Sequence, residues 1–270
     1  MKNLIKIFSL AFFLTVVFNL QGQDAAPRSY NSIAYMKVEP GMHDEYVELE
    51  KAWQKIHQRN IDAGKYGSWH VYQVLYPNGA NESYNYIVRT HLENEDQLAA
   101  YINNYSMPDD WKSILSEEEI ALIDKTSEIR TWVNSEIWAT LEYVSNEGDD
   151  NEITVFNFFS IPEGSSRTAH QKMENEVWKP VHQARMNDGQ MEGWAMLTRR
   201  LPYGSDNPYV DGTVDIYKDM DQLIKSQTFP YFEDVHPGVS TDDIFEQTLQ
   251  VCDLRRSEVR KKLLSAAKSN

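Results

Sequence analysis

Two histidines carry the clearest chemical signal in the chain. His57 and His182 each follow a tryptophan by four residues, Trp53 and Trp178, in stretches whose apolar spacing reads as helix. Residues at i and i+4 share one face of one turn, so each imidazole lies beside an indole that belongs to the apolar stripe. A histidine at such a helix–sheet seam could act as a general base, or ligate a metal or haem iron. It could equally be a packing residue, hydrogen-bonded to Gln58 or to a strand, and the sequence leaves both roles open. Trp69, Trp194, Tyr84 and Tyr209 fall on the strands that follow. Together with Trp53 and Trp178 they are candidate walls for a flat or apolar ligand, or else the core between helix and sheet.

These residues come in pairs because the chain repeats itself. Adding 125 to Trp53, His57, Gln58, Gly64, Trp69, Pro77, Gly79 and Tyr84 gives Trp178, His182, Gln183, Gly189, Trp194, Pro202, Gly204 and Tyr209. Eight identities without a gap in 32 positions mark an internal duplication. The glycines and prolines of the set are accounted for as helix caps and hairpin turns. Pro180 separates the copies: it stands two residues before His182, where the first repeat has Lys55. A proline inside a helix removes a hydrogen bond and bends or bulges it, and such bulges often occur at functional sites. Of the two histidines, His182 is therefore the stronger candidate.

The elements that must position these residues follow the same order twice. Residues 30–38 read as a strand. Tyr46, Leu49, Trp53 and Ile56 then recur at helical spacing. Two strands, 66–76 and 84–90, flank the turn Pro77-Asn78-Gly79. A second helix begins at residue 93, with Asp96-Gln97-Leu98 repeated as Asp221-Gln222-Leu223. Ser116 with Glu119 opens a further short helix as a capping box, and residues 129–143 form the last strand. The second copy runs the same way from 152, with an added helix at 241–252 and a final strand at 253–264. The fold class is α+β, with two βαββαβ ferredoxin-like repeats at 28–144 and 152–265. A polar linker spans 145–151, and residues 266–270 form a tail. The basic segment 255–268 reads as a solvated edge.

Two such repeats in one chain resemble the dimeric α/β-barrel superfamily, which joins the sheets of two units into a barrel with helices outside. The resemblance implies a monomeric pseudo-dimer and, for each unit, a pocket between helices and sheet. The superfamily includes antibiotic-biosynthesis-type monooxygenases, haem-degrading enzymes, haem peroxidases and members without known activity.

Composition bounds the partners. Lys2 and Lys6 followed by an apolar run through Leu20 are laid out like a signal peptide, residues 1–23, which points to a periplasmic or secreted protein. Without those two lysines the formal charge falls from −15 to −17. That surface repels nucleic acid and anionic membranes, so neither is an expected partner once the leader is removed. Cys252 is the only cysteine, which rules out an internal disulfide and reads as a small buried residue. The seven histidines show no HxH, HxxxH or HExxH spacing, and no metal is expected. The sequence names no cofactor. With no acid–base constellation in view, the expected function is a non-catalytic binding or scaffold protein holding a small apolar or aromatic ligand. The alternative is an oxygenase-like or haem-binding enzyme using His182 and His57.

Overall fold

The apolar stripe of the first repeat becomes α1 (His43–Asp62), with Tyr46, Leu49, Ala52 and Ile56 fully buried along one face. Asp44 and Glu45 sit at its electropositive start. Gly64, at φ +72°, turns the chain out of it in a conformation that few other residues adopt. Truncating Ile56 to alanine would remove a buried side chain from this face and cost about 2–5 kcal/mol.

The computed structural model describes residues 29–146, 151–204 and 206–268. The expected leader and residues 147–150 of the expected linker lie outside them. In the first repeat, β1 (Ser29–Lys37) precedes α1, and β2 (Ser68–Tyr76), β3 (Tyr86–Leu92) and α2 (Glu95–Asn104) follow. The short α3 (Glu117–Asp124) and α4 (Thr126–Ile129) lead to β4 (Thr131–Ser145). Ser116 and Glu119 close the anticipated capping box at α3. The second repeat runs β5 (Ile153–Ser160), α5 (Arg167–Met173), α6 (Lys179–Asn187), β6 (Gly193–Leu201) and β7 (Asp211–Tyr217). It ends with α7 (Met220–Lys225), α8 (Phe229–Val235), α9 (Thr241–Val251) and β8 (Asp253–Ala267). The sequence gives no warning of α8, whose Phe232 packs against Val181 and Ile244.

All pairings are antiparallel, and the strands close into one barrel in the order β1-β3-β2-β8-β5-β7-β6-β4. Each repeat supplies four consecutive strands. The last strand of each crosses to the other: β8 pairs with β2 (Val71 opposite Leu264), and β4 pairs with β6 (Thr140 opposite Leu197). Closure leaves no sheet edge open. The expectation of a solvated edge at residues 255–268 fails here, because β8 is an interior strand with Glu258 and Arg260 buried.

Successive side chains on each strand face opposite ways. Trp69 and Val71 on β2 pack under α1 in one seam, and Trp194 and Met196 on β6 pack under α6 in the other. Ile33, Tyr35, Tyr72, Trp138, Phe156, Phe158 and Leu197 form a separate cluster inside the barrel. A second retained signature is explained by the helix ends. Asn94 and Asp219 each cap the backbone N–H of a glutamine, Gln97 or Gln222. Those amides reach across to the carbonyls of Gly64 and Gly189, tying α2 and α7 to the turns that end α1 and α6.

Candidate functional site

The paired histidines occupy equivalent packed positions. The His57 ring stacks on Trp69 with centroids 4.6 Å apart, and the His182 ring stacks on Trp194 at 5.6 Å. Their exposures are 5% and 8%. Tyr66 Oη lies 2.6 Å from His57 Nδ1 and also accepts from Asn60, so it donates to the imidazole. Arg185 donates to His182 Nδ1 at 2.9 Å. Burial, reinforced by Arg130 for His57 and by Arg185 for His182, lowers both to about 3, so both rings are neutral. Nδ1 of each accepts a hydrogen bond, which leaves the ring proton on Nε2 and no free lone pair, and one face of each ring is covered by indole. Haem ligation by this pair does not fit that packing.

The six aromatic candidates divide between compartments. Trp53 packs in the first seam, its ring 6.1 Å from His57. Trp178 turns toward Phe232 and Phe245 and donates to Thr248. Trp69 and Trp194 are the floors under the histidines. Tyr84 and Tyr209 precede β3 and β7 by two residues and turn into the barrel, where each meets a carboxylate from the other repeat. Tyr84 donates to Glu258, and Tyr209 donates to Glu136 at 2.9 Å. Glu136 also accepts from Tyr35 (2.6 Å), Trp138 (2.9 Å) and Arg199 (3.0 Å). Glu258 holds Arg260 at 2.7 Å and Arg256 at 2.7 Å. This double network closes one end of the barrel.

Beyond it lies a chamber of about 700 Å³ inside the barrel. Its wall is divided. On β1, β3, β2 and β8 it presents Asn31, Arg89, His91, His70, Arg260 and Lys262. On β5, β7 and β6 it presents Thr154, Phe156, Val214, Ile216, Ala195 and Leu197. The duplication exposes how the difference arose: Arg89, His91, His70 and Tyr72 correspond, 125 residues on, to Val214, Ile216, Ala195 and Leu197. One side of the shell carries the cationic and imidazole groups, beside Ile33, Tyr72 and Ile87, and the other is largely apolar.

The polar half is fixed by one amide. Asn31 donates Nδ2 to Thr140 Oγ1 at 3.0 Å, which turns its Oδ1 toward Arg89 Nε (2.7 Å) and His91 Nδ1 (3.4 Å). With Nδ1 protonated against that oxygen, His91 Nε2 carries the lone pair. Burial, then the Arg89 charge, lowers His91 to about 4 although Glu93 opposes the shift. Burial, with Arg89, Lys262 and His91, holds His70 well below its ordinary value. Its Nε2 lies 3.1 Å from Ser68 Oγ, and its buried Nδ1 has no partner. The wall thus offers two neutral imidazoles in a positive field, an arrangement suited to taking a proton and stabilising the resulting anion.

A second polar cluster lies under the helices of repeat 2. The helix is underwound into a π segment at Glu174–Trp178, which ends two residues before Pro180, so a bulge does occur where the proline implied. His170 lies 3.1 Å from Asp211 and 3.4 Å from Glu174. Burial opposes its charge, but the bonds to Asp211, Cys252 and Glu174 lift it to about 11. Burial raises Asp215 to about 6, against the pull of Arg185. Among the described residues no group of three or more histidine, cysteine or acidic side chains is arranged to hold a metal ion.

The chamber residues escaped the sequence reading for a physical reason. Helices cover the outer face of the strands, so the usual contrast of apolar inside and polar outside is lost. The signal was present as alternation: Arg89 and His91 on β3, and Glu258, Arg260 and Lys262 on β8, all two residues apart.

No protein-family model matches the chain, and no curated protein sequence matches it. Solved structures do. A candidate monooxygenase from Fusobacterium nucleatum subsp. nucleatum superposes with a TM-score of 0.56 at 11% identity, covering 90% of this chain and 96% of that one. A candidate monooxygenase from Lactobacillus acidophilus NCFM gives 0.50 at 11% identity, over 88% and 95%. An anthrone oxidase-like protein gives 0.50 at 10% identity, over 90% and 95%. The likeness establishes the dimeric α/β-barrel fold, here carried by one polypeptide. It also overturns the expectation of a non-catalytic scaffold: the matched structures bear oxidase and monooxygenase names along nearly the whole chain, and the barrel holds a chamber lined with ionisable groups.

Proposed function

We propose that this single-chain dimeric α/β barrel is an oxygenase-type enzyme whose reaction chamber is the barrel interior. The observation that carries the reading is the pair of neutral imidazoles, His91 and His70, set beside Arg89 in a chamber large enough for a small organic molecule. His91 Nε2 takes a proton from an acidic C–H or O–H of the substrate. Arg89 stabilises the enolate or phenolate that forms. The same positive field that lowers the pKa of His91 lowers the pKa of the substrate group, so the transfer stays matched. Dioxygen is the oxidant: it accepts electrons from the anion, one oxygen atom replaces the lost hydrogens as a carbonyl, and the other leaves as water. The apolar half of the wall keeps bulk water from the reactive anion.

The test is dioxygen uptake by the purified chain with anthrone, whose C–H is acidic beside a carbonyl and two rings. Uptake above the spontaneous rate, lost in His91→Gln and reduced in Arg89→Gln, is the expected result. Equal uptake by wild type and both variants overturns the reading.

Export and a monomeric state belong to the same proposal. Lys2, Lys6 and the apolar run through Leu20 support a cleaved leader at residues 1–23, and the mass of the mature protein tests it. A barrel whose edges are all paired within one chain supports a monomeric pseudo-dimer. A sizing column showing only larger assemblies would contradict it.

A further inference from the structure

We propose that the chamber selects planar anions, an aryl carboxylate standing in for the enolate or phenolate of the reaction, with the anionic oxygens held by Arg89 and the apolar ring laid against Phe156 and Leu197 on the opposite wall. The proposal rests on the chamber being the reaction site. Its basis is an imbalance of charge. Arg260 is neutralised inside the barrel by Glu258 at 2.7 Å, and Glu93 at the rim by Lys268 at 2.7 Å. Arg89 has a different partner: its Nε donates to the neutral amide of Asn31, and no carboxylate among the described residues forms an ion pair with it. A half-buried guanidinium without a counter-charge is a costly feature for a structural role. It is a fitting one for an anion that arrives from solution.

Geometry narrows the anion. Asn31 occupies the Nε side of the fork and is itself pinned by Thr140. A planar carboxylate matches the paired N–H groups of the remaining edge. The opposite wall has no counterpart of Arg89 or His91, because the matching positions are Val214 and Ile216. Apolar surface on that side favours a ring or short hydrocarbon body. One positive and one apolar wall therefore orient the substrate as well as bind it, and an anionic head on Arg89 brings the body past His91.

Calorimetric titration of the full chain with 1-naphthoate and with 1-naphthamide tests this. Naphthoate is expected to bind at least tenfold more tightly than the amide. Arg89→Gln should abolish that preference, and Arg89→Lys should retain part of it, which separates charge from misfolding. Equal affinity for the two probes, no measurable naphthoate binding, or an undiminished preference in Arg89→Gln overturns the proposal. Ala195→Trp fills the chamber and should weaken both probes. If it leaves both affinities intact, binding lies elsewhere and the chamber reading itself fails, whatever the preference.

Discussion

Replacing Glu136 with glutamine should destabilise the barrel far more than a change of one atom suggests. Its two oxygens receive different pairs of donors: Oε1 takes Arg199 and Tyr209, and Oε2 takes Tyr35 and Trp138. A tyrosine hydroxyl can rotate to accept, but an indole or guanidinium N–H cannot. Whichever way the new amide turns, its NH2 faces Arg199 or Trp138. Arg199 is only 3% exposed and loses its counter-charge. Leaving one partner of a buried pair alone costs about 3–5 kcal/mol, and each kcal/mol moves the midpoint of a protein of this size by about 2–4 °C. Glu136→Gln should therefore melt roughly 6–20 °C below wild type by calorimetry. Urea titrations of Glu136→Leu, Arg199→Met and the double variant complete the test. The double variant, with an apolar pair in place of the ions, should be more stable than Arg199→Met or Glu136→Leu alone. A loss below about 1 kcal/mol, or strictly additive effects, would refute the reading of Glu136 and Arg199 as a coupled buried pair.

Much of the architecture was legible because both repeats had to solve the same local problems. Gly64 and Gly189 need a left-handed backbone, at φ +72° and +67°. Gln97 and Gln222 bridge helix ends in the same way. His57 and His182 were retained with their tryptophan floors, Trp69 and Trp194. Residues held alike in both copies identify the frame. The chamber is the reverse case, since its character comes from Arg89, His91 and His70, where the copies differ. A search for identities passes over such positions. β8 misled for another reason: Arg256, Arg260 and Lys262 look like a solvated face, yet they are buried or half-buried because a barrel interior tolerates charges that it can pair.

Two further expectations concern the paired histidines. His57→Gln and His182→Gln should each lose about 1–2 kcal/mol in urea titrations, from the lost ring stack and hydrogen bond, while naphthoate affinity changes less than twofold. A collapse of binding in either variant would return these residues to the site. Acid sensitivity follows from the same rings. Their folded values near 3 lie below the ordinary 6.5, so between those limits the unfolded chain binds more protons and stability falls with falling pH. Each imidazole should contribute roughly 2–3 kcal/mol of loss at pH 4.5. Asp215, raised to about 6, opposes this by favouring the fold as pH falls through 6. Wild type should thus weaken between pH 7 and 4.5, and His182→Gln should show a shallower slope. Identical slopes would contradict the assignment.

The most direct measurement is a crystal structure of the chain with 4-bromobenzoate, the bromine located by its anomalous signal. The expected peak lies inside the barrel near Phe156 and Leu197, with the carboxylate on Arg89. A peak under the helices, beside His57 or His182, would place the binding site in the helix–sheet seam and contradict the account.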